Sequence, residues 1–372
     1  MTSGSWRDAR NVLCVRLDAL GDVLMSTPAI RALKESSPGR QVTLLTSASG
    51  AAVARMIPEL DDVMVYEAPW MKSAGPLAAL PERTAADLEM IEELRERSFD
   101  AAVIFTVYSQ NPLPAALFCH LAGIPRRLAH CRENPYALLT DWVMEEEPER
   151  FVRHEVQRQL DLVATVGCYA ADERLSIAVS GAARESVRAK LAAHGVDLSV
   201  PWLVAHPGAT APSRRYPPDL FAEAARLIAL EHGEQVVFSG SAGERELVAG
   251  IRHAMVEPSF TVAGELDLSE LVALVAEAPL LVSNNTGPAH IAAATGTPVV
   301  DIYALTNPQH TPWRVASRVL SHDVPCKYCY KSVCPRGHHD CLRLVSPESV
   351  ARAAGELLAA RRARAGAAME LS

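Results

Sequence analysis

Apolar residues recur along this chain in two alternating rhythms. Short runs rich in Val, Ile and Leu occupy residues 11–17, 41–47, 62–68 and 99–107. Between them, residues 27–37, 50–60, 87–97 and 114–123 repeat apolar positions at helical spacing. The first kind reads as buried strand, the second as amphipathic helix. Strands alternating with crossover helices predict a parallel sheet covered on both faces. Residues 150–167 and 184–195 read as two more helices, the second closed by Gly195. The stretch between them is polar and irregular, so a domain junction is expected near Val179.

The alternation then restarts. Strands are expected within 202–209, 235–241, 259–265, 280–285 and 297–304. Helices are expected over 219–233, 244–255, 267–278 and 287–296, with Asp267 as an N-cap and Gly233 and Gly296 as stops. The fold class that follows is α/β, with two doubly wound Rossmann-like domains over 1–178 and 179–345. A last helix over 346–372 is expected to pack back across the junction onto the first domain. Ligands of such sheets sit outside the carboxyl ends of the strands, so both sets of strand-to-helix turns should face one central cleft.

Composition narrows the partners. The 372 residues are 49% apolar, ample for two cores, and carry a net charge of −8. An acidic chain whose one basic run is RRARAG near the C-terminus is not expected to bind nucleic acid. No apolar run reaches the roughly 18–20 residues of a membrane span, so at most a peripheral membrane contact is expected. The start, MTSGSWRDARN, lacks the apolar core of a secretory signal, so a cytoplasmic location is expected. In that compartment the eight cysteines argue against a disulfide framework.

Four turns could carry chemistry. In SNNTGPAHIAAATG, Pro288 fits a first helical turn, Thr286 an N-cap, and Gly287 a close ligand approach. Free N–H groups there suit a diphosphate; the plainer reading is an ordinary capped turn. HPGATAPSRRYP places Arg214 and Arg215 just before a helix that Asp219 could cap. Two arginines at a cleft mouth can neutralise a diphosphate, or simply be solvated. In FSGSAGERE, Glu244 could accept a ribose diol or stabilise the helix start. The first-domain turn RLDALGDVLM holds carboxylates where a phosphate might be expected. If the second domain grips the nucleotide, Asp22 could take a proton from an attacking hydroxyl, with Asp18 the competing candidate. Either could instead cap the next helix.

Taken together, VRLDALGDVLMSTPAIRALK, AGIPRRLAHCRENPYALLTD, RHEVQRQLDLVATVG, HPGA with RRYP, FSGSAGERE and SNNTGPAHIAAATGTPVVDIYALTNP resemble glycosyltransferase family 9. That family comprises ADP-heptose transferases acting on the lipopolysaccharide inner core, and the resemblance covers nearly the whole chain. It implies a GT-B fold and an inverting transfer that requires no metal or other cofactor, with an ADP-sugar as donor. It assigns the catalytic carboxylate to Asp22. It assigns the nucleotide-sugar side to Thr210, Arg214, Glu244, Leu266, Asn285, Thr286, Gly287, Pro288 and Ala289. Asn285 departs from the Asp usual in the family: it keeps the size and one acceptor but loses the charge and gains two donors. Arg214 stands for the commoner Lys.

Asp18 and Arg132 are the expected acceptor contacts, Arg132 with Arg126, Arg127 and His130 in the best basic patch of the first domain. A phosphorylated glycolipid at the inner face of the membrane is one acceptor class. A soluble small molecule would better suit an acidic cleft, and a non-catalytic sugar-binding protein is the rival outside enzymes. Cys326, Cys329, Cys334 and Cys341 fall within sixteen residues, a spacing open to a structural zinc site or to a reduced loop of thiols.

Overall fold

The computed structural model describes residues 5–71 and 80–370. Met1–Gly4, the start of the N-terminal stretch, lies outside the described residues. The chain forms two compact units, Met1–Ala178 and Val179–Ser372.

The first unit is built on strands β1 (Asn11–Arg16), β2 (Gln41–Thr46), β3 (Asp62–Val65), β4 (Ala101–Ile104), β5 (Arg126–Cys131) and β6 (Asp141–Met144). They form one parallel sheet in the order β3-β2-β1-β4-β5-β6. The two central strands are buried almost end to end, as continuous apolar runs covered on both faces should be. Leu13, Val15, Leu94, Phe99 and Ile104 lie in its core. Strand order reverses between β1 and β4, which makes their carboxyl ends the switch point.

The periodicity missed β5 and β6, because β5 opens on two arginines and the edge strand β6 alternates in burial. Arg127 can be buried there because its guanidinium donates to the carbonyls of Leu138 and Ala137 at 2.7 and 2.8 Å. The first helix also begins earlier than expected, running Leu20–Glu35 straight through Pro28. Proline cannot donate to the carbonyl four residues back, here Leu24. The Thr27 hydroxyl donates to that carbonyl instead, at 2.7 Å. Gly21 and Asp22 therefore belong to a helical first turn rather than to a loop.

The second unit repeats the plan with β7 (Trp202–His206), β8 (Gln235–Phe238), β9 (Phe260–Thr261), β10 (Leu281–Asn284), β11 (Val299–Ile302) and β12 (Ser317–Leu320). Their order, β12-β11-β10-β7-β8-β9, puts the reversal between β7 and β10. Local signals act as read: Gly233 and Gly296 close their helices at positive φ, and Asp267 caps Leu268–Glu277 through a reciprocal box with Glu270. Asp219 does not cap. Pro217 occupies that position and Pro218 opens the helix Pro218–His232, leaving Asp219 inside the first turn. The helix Pro347–Glu370 packs on Pro218–His232 and on β11 and β12. Gly355 permits the approach, since a Cβ there would lie 2.4 Å from the His232 ring.

Candidate active site

At the end of β1, Arg16 is wholly buried and surrounded by carboxylates. Its Nε lies 3.0 Å from Asp18, one terminal nitrogen 3.1 Å from Asp22, and the other 2.9 Å from the buried Glu155. Glu155 opens the helix Glu155–Ala164, which packs on Leu20–Glu35. Its carboxylate also accepts Gln159 Nε2 at 2.6 Å. Three carboxylates share one cation, so the cluster is negative overall once all are ionised. Burial pushes Asp18 up to about 6, against the pull of Arg16 and helped by the charge of Asp22. Gln110 Nε2 donates to Asp18 at 2.6 Å. Asp22 is the most exposed of the three and sits in the first helical turn, where the helix dipole favours a carboxylate. Neither aspartate caps the helix: the N-cap is Ala19, with no side-chain bond.

Beyond Gln110 a pocket of about 180 Å³ opens between the loop after β4, the end of β5 and Glu145. Arg132 lines it, bonded to the Glu147 carbonyl and 3.4 Å from Glu149. Glu145 pairs with the buried Arg158 at 2.5 Å. Burial, then the charges of Arg158 and Arg153, push His130 down to about 3, so its imidazole is neutral. The expected basic patch is split. His130 and Arg132 reach the pocket, whereas Arg126 and Arg127 start the same strand and lie at its far end, at about 3.3 Å of rise per residue.

In the second unit, the switch point gathers turns from three strands. Asn284, ending β10, donates Nδ2 to the Pro207 carbonyl at 2.6 Å and accepts the Tyr216 N–H at 3.0 Å. It bolts the β7 turn and the approach to Pro218–His232 to the end of β10. Gly208 lies under Glu244: a Cβ there would be 2.0 Å from Glu244 Oε1. Glu244 Oε2 accepts the Ser241 N–H at 2.7 Å and its hydroxyl at 2.9 Å, closing a capping box. Desolvation of Glu244 is outweighed by these bonds and by the nearby His206 and Arg215, so its carboxyl is held below its usual range. Glu244 thus both supports a helix start and faces the β7 turn.

The helix Gly287–Thr295 starts beside this group, with Pro288 in its first turn and Pro288 and Ala289 buried. Thr286 stands at the N-cap, but its hydroxyl makes no capping bond. That leaves the helix start available to an anion. Arg214 is half-buried at the end of the short turn Pro212–Arg214, and Thr210 is exposed ahead of it. Arg215 Nε is tied to the Ala209 carbonyl at 2.7 Å. Asn285 is buried and donates Nδ2 to the His310 carbonyl at 3.0 Å. Leu266 is half-buried in the loop between β9 and Leu268–Glu277.

Pattern reading missed Arg16, Glu155, Asn284 and Asp301. Arg16 and Asp301 sit inside apolar strands, where a lone charge is itself a signal. Glu155 comes from a segment 139 positions away from Arg16, so its part in the cluster left no local trace. The four clustered cysteines are free thiols, and Cys326 Sγ lies 3.6 Å from His338 Nε2. Among the described residues, no three His, Cys, Asp or Glu side chains gather closely enough to hold a metal ion. The zinc reading of the spacing therefore finds no assembled ligand set in the fold. No helix among the described residues is long and apolar enough to cross a membrane.

The profile of glycosyltransferase family 9 (heptosyltransferase) matches residues 88–339. Lipopolysaccharide heptosyltransferase 2 of Escherichia coli (strain K12) is 25% identical over 361 residues, covering 93% of this chain and 98% of its own. A crystal structure of a family 9 glycosyltransferase from Veillonella parvula superposes with a TM-score of 0.77 at 20% identity, over 96% of this chain and 99% of that one. The E. coli ADP-heptose lps heptosyltransferase II superposes with a TM-score of 0.71 at 24% identity, over 95% and 99%. The two units have the GT-B architecture, and the chain belongs to glycosyltransferase family 9 and is a glycosyltransferase.

Proposed function

We propose that this enzyme transfers heptose from ADP-heptose to a hydroxyl of the lipopolysaccharide core, with inversion and without a metal ion. The relatives' named activities support the donor and acceptor classes. The observation that carries the reading is the assembly at the β7–β10 switch point. There Arg214, the open helix start at Thr286–Gly287 and the Glu244 carboxylate follow the carboxyl ends of three adjacent strands, β7, β10 and β8. A guanidinium and oriented N–H groups suit a diphosphate, and a carboxylate beside them suits a ribose diol.

The acceptor oxygen attacks the anomeric carbon as the bond to the ADP β-phosphate oxygen breaks. Asp22 takes the acceptor's proton, and the departing charge of ADP is met by Arg214 and the helix start. Arg16 keeps Asp22 oriented at 3.1 Å, while Asp18, held by Gln110, stands next to it. Thr210, Asn285, Pro288, Ala289 and Leu266 border the donor, and Arg132 the acceptor. A glycolipid acceptor puts the enzyme at the inner membrane face through peripheral contact.

One observation favours a second acceptor class. The first-unit pocket offers a neutral imidazole, an arginine already engaged, and two glutamates, Glu133 and Glu145. That lining suits an uncharged or amine-bearing acceptor better than a phosphorylated one.

The test is ADP release from ADP-heptose against a panel of lipopolysaccharide-core and soluble acceptors. Asp22→Ala should lower turnover by about 100-fold or more, the usual scale for losing a general base, yet leave ADP binding nearly intact. Equal loss of both would count against the role given to Asp22.

A further inference from the structure

The donor half contains an ionisable group that the steps above leave unused. Asp301 lies on β11, opposite Ser283 of β10, with no solvent exposure. Its Oδ2 is 3.5 Å from Asn285 Nδ2, and its Oδ1 has no hydrogen-bond partner. A carboxylate this poorly solvated holds on to its proton. Burial pushes it up to about 8, although the Asn285 amide and the Arg214 charge both pull the other way.

The same geometry explains why residue 285 is an amide. Asn285 Nδ2 faces two acceptors, the His310 carbonyl at 3.0 Å and the Asp301 carboxyl. An amide has two N–H donors to meet them, whereas a carboxylate would crowd a further acceptor against both. Arg214 completes the picture. Among the described residues no carboxylate lies within ion-pairing distance of it, and its charge acts on Asp301 and Tyr303.

We propose that Asp301 is a positioning residue of the donor site: its buried carboxyl meets the Asn285 amide beside Thr286 and leaves the charge of Arg214 to the diphosphate. The proposal rests on the reading of the second unit as an ADP-sugar site. The groups facing Asp301 come from several segments: Asn285 after β10, Tyr303 after β11, Arg214 from its short turn, and His310 through Asn285. His310 in turn stacks edge-on with His290 of Gly287–Thr295 at 6.4 Å. Burial holds the Tyr303 hydroxyl well above its ordinary value, so it stays neutral.

A proton balance follows. Ionised Asp301 would draw on the Arg214 charge that the diphosphate needs. Bound diphosphate therefore tightens the proton on Asp301, and by linkage the affinity for ADP falls as pH rises past the point where Asp301 ionises.

The experiment is calorimetric titration of the full chain with ADP from pH 7 to 9.5, with melting temperatures measured alongside. For the wild type, Kd should rise by about three- to tenfold between pH 7.5 and 9.5. Asp301→Asn keeps the size and an acceptor for Asn285; it should bind within about threefold of wild type at pH 7 and lose the pH dependence. Asn285→Asp should weaken binding by about tenfold at pH 8, and adding D301N should restore it, because the new amide can donate to the new carboxylate. Parallel wild-type and D301N profiles, or an N285D defect untouched by D301N, would overturn the role of Asp301 while leaving the ADP site standing. A wild-type chain that does not bind ADP at pH 7 would overturn the ADP-site reading and the proposal with it.

Discussion

Gly208 offers a sharp test of the donor site. A methyl group there would lie 2.0 Å from Glu244 Oε1 and 2.3 Å from its Cδ, and real Cβ contacts do not come under 3.0 Å. The backbone of the β7 turn is held by Asn284, so the flexible partner, Glu244, must swing away. It then gives up both bonds to Ser241, at 2.7 and 2.9 Å. Losing a capping box that contains a charged acceptor costs about 1–3 kcal/mol. For a unit of this size that is a fall in melting temperature of roughly 2–12 °C. Donor affinity should drop by about tenfold, the value of one lost hydrogen bond to a charged group. Calorimetry with ADP and a thermal melt read both effects. Glu244→Ala should reproduce the affinity loss, and G208A with E244A should be no worse than either alone, because both remove the same carboxylate. If Gly208→Ala binds ADP and melts like the wild type, Glu244 does not sit over the β7 turn and has no part in gripping the nucleotide.

Three further outcomes follow from the first unit and from the chemistry. Arg16→Met leaves the buried Glu155 charge without its counter-ion, so chemical denaturation should show a loss of about 3–5 kcal/mol, partly relieved by adding Glu155→Gln. Asp18 sits at about 6, above its ordinary value of 3.8, so the folded state holds this proton more tightly than the unfolded one. Its contribution to stability therefore falls as pH rises from about 4 to about 6 and is level above that; chemical denaturation across this range should show the slope, and Asp18→Asn should flatten it. Because Arg214 and the Thr286–Gly287 helix start supply the positive charge, EDTA should leave ADP release unchanged, and a loss restored by added Mg²⁺ would refute that assignment.

Local features of the chain were readable where their cause is local. Gly233 and Gly296 stop helices because each needs a left-handed backbone, and Asp267 caps because its side chain reaches an N–H three residues on. Reading failed where two local rules competed. Thr27-Pro28 looks like a helix start, yet the helix runs through it, because one hydroxyl takes up the carbonyl that proline leaves unserved. Arg126-Arg127 looks like a basic patch, yet Arg127 is a buried clamp on three backbone carbonyls.

The sequence by itself determined the two rounds of strand and helix, put Glu244 and Thr286 in turns at strand ends, and put Asp22 just beyond the first strand. Periodicity, caps and breakers act within a few residues, so a short window contains their whole cause. Only the tertiary structure decided what those turns mean electrostatically. Arg16 meets Glu155 across 139 positions, Glu244 leans on Gly208, and Asn285 shares Asp301 and the His310 carbonyl. Those contacts depend on how parallel strands align after their crossovers, and burial then sets the charge each group can carry. A window along the chain contains neither.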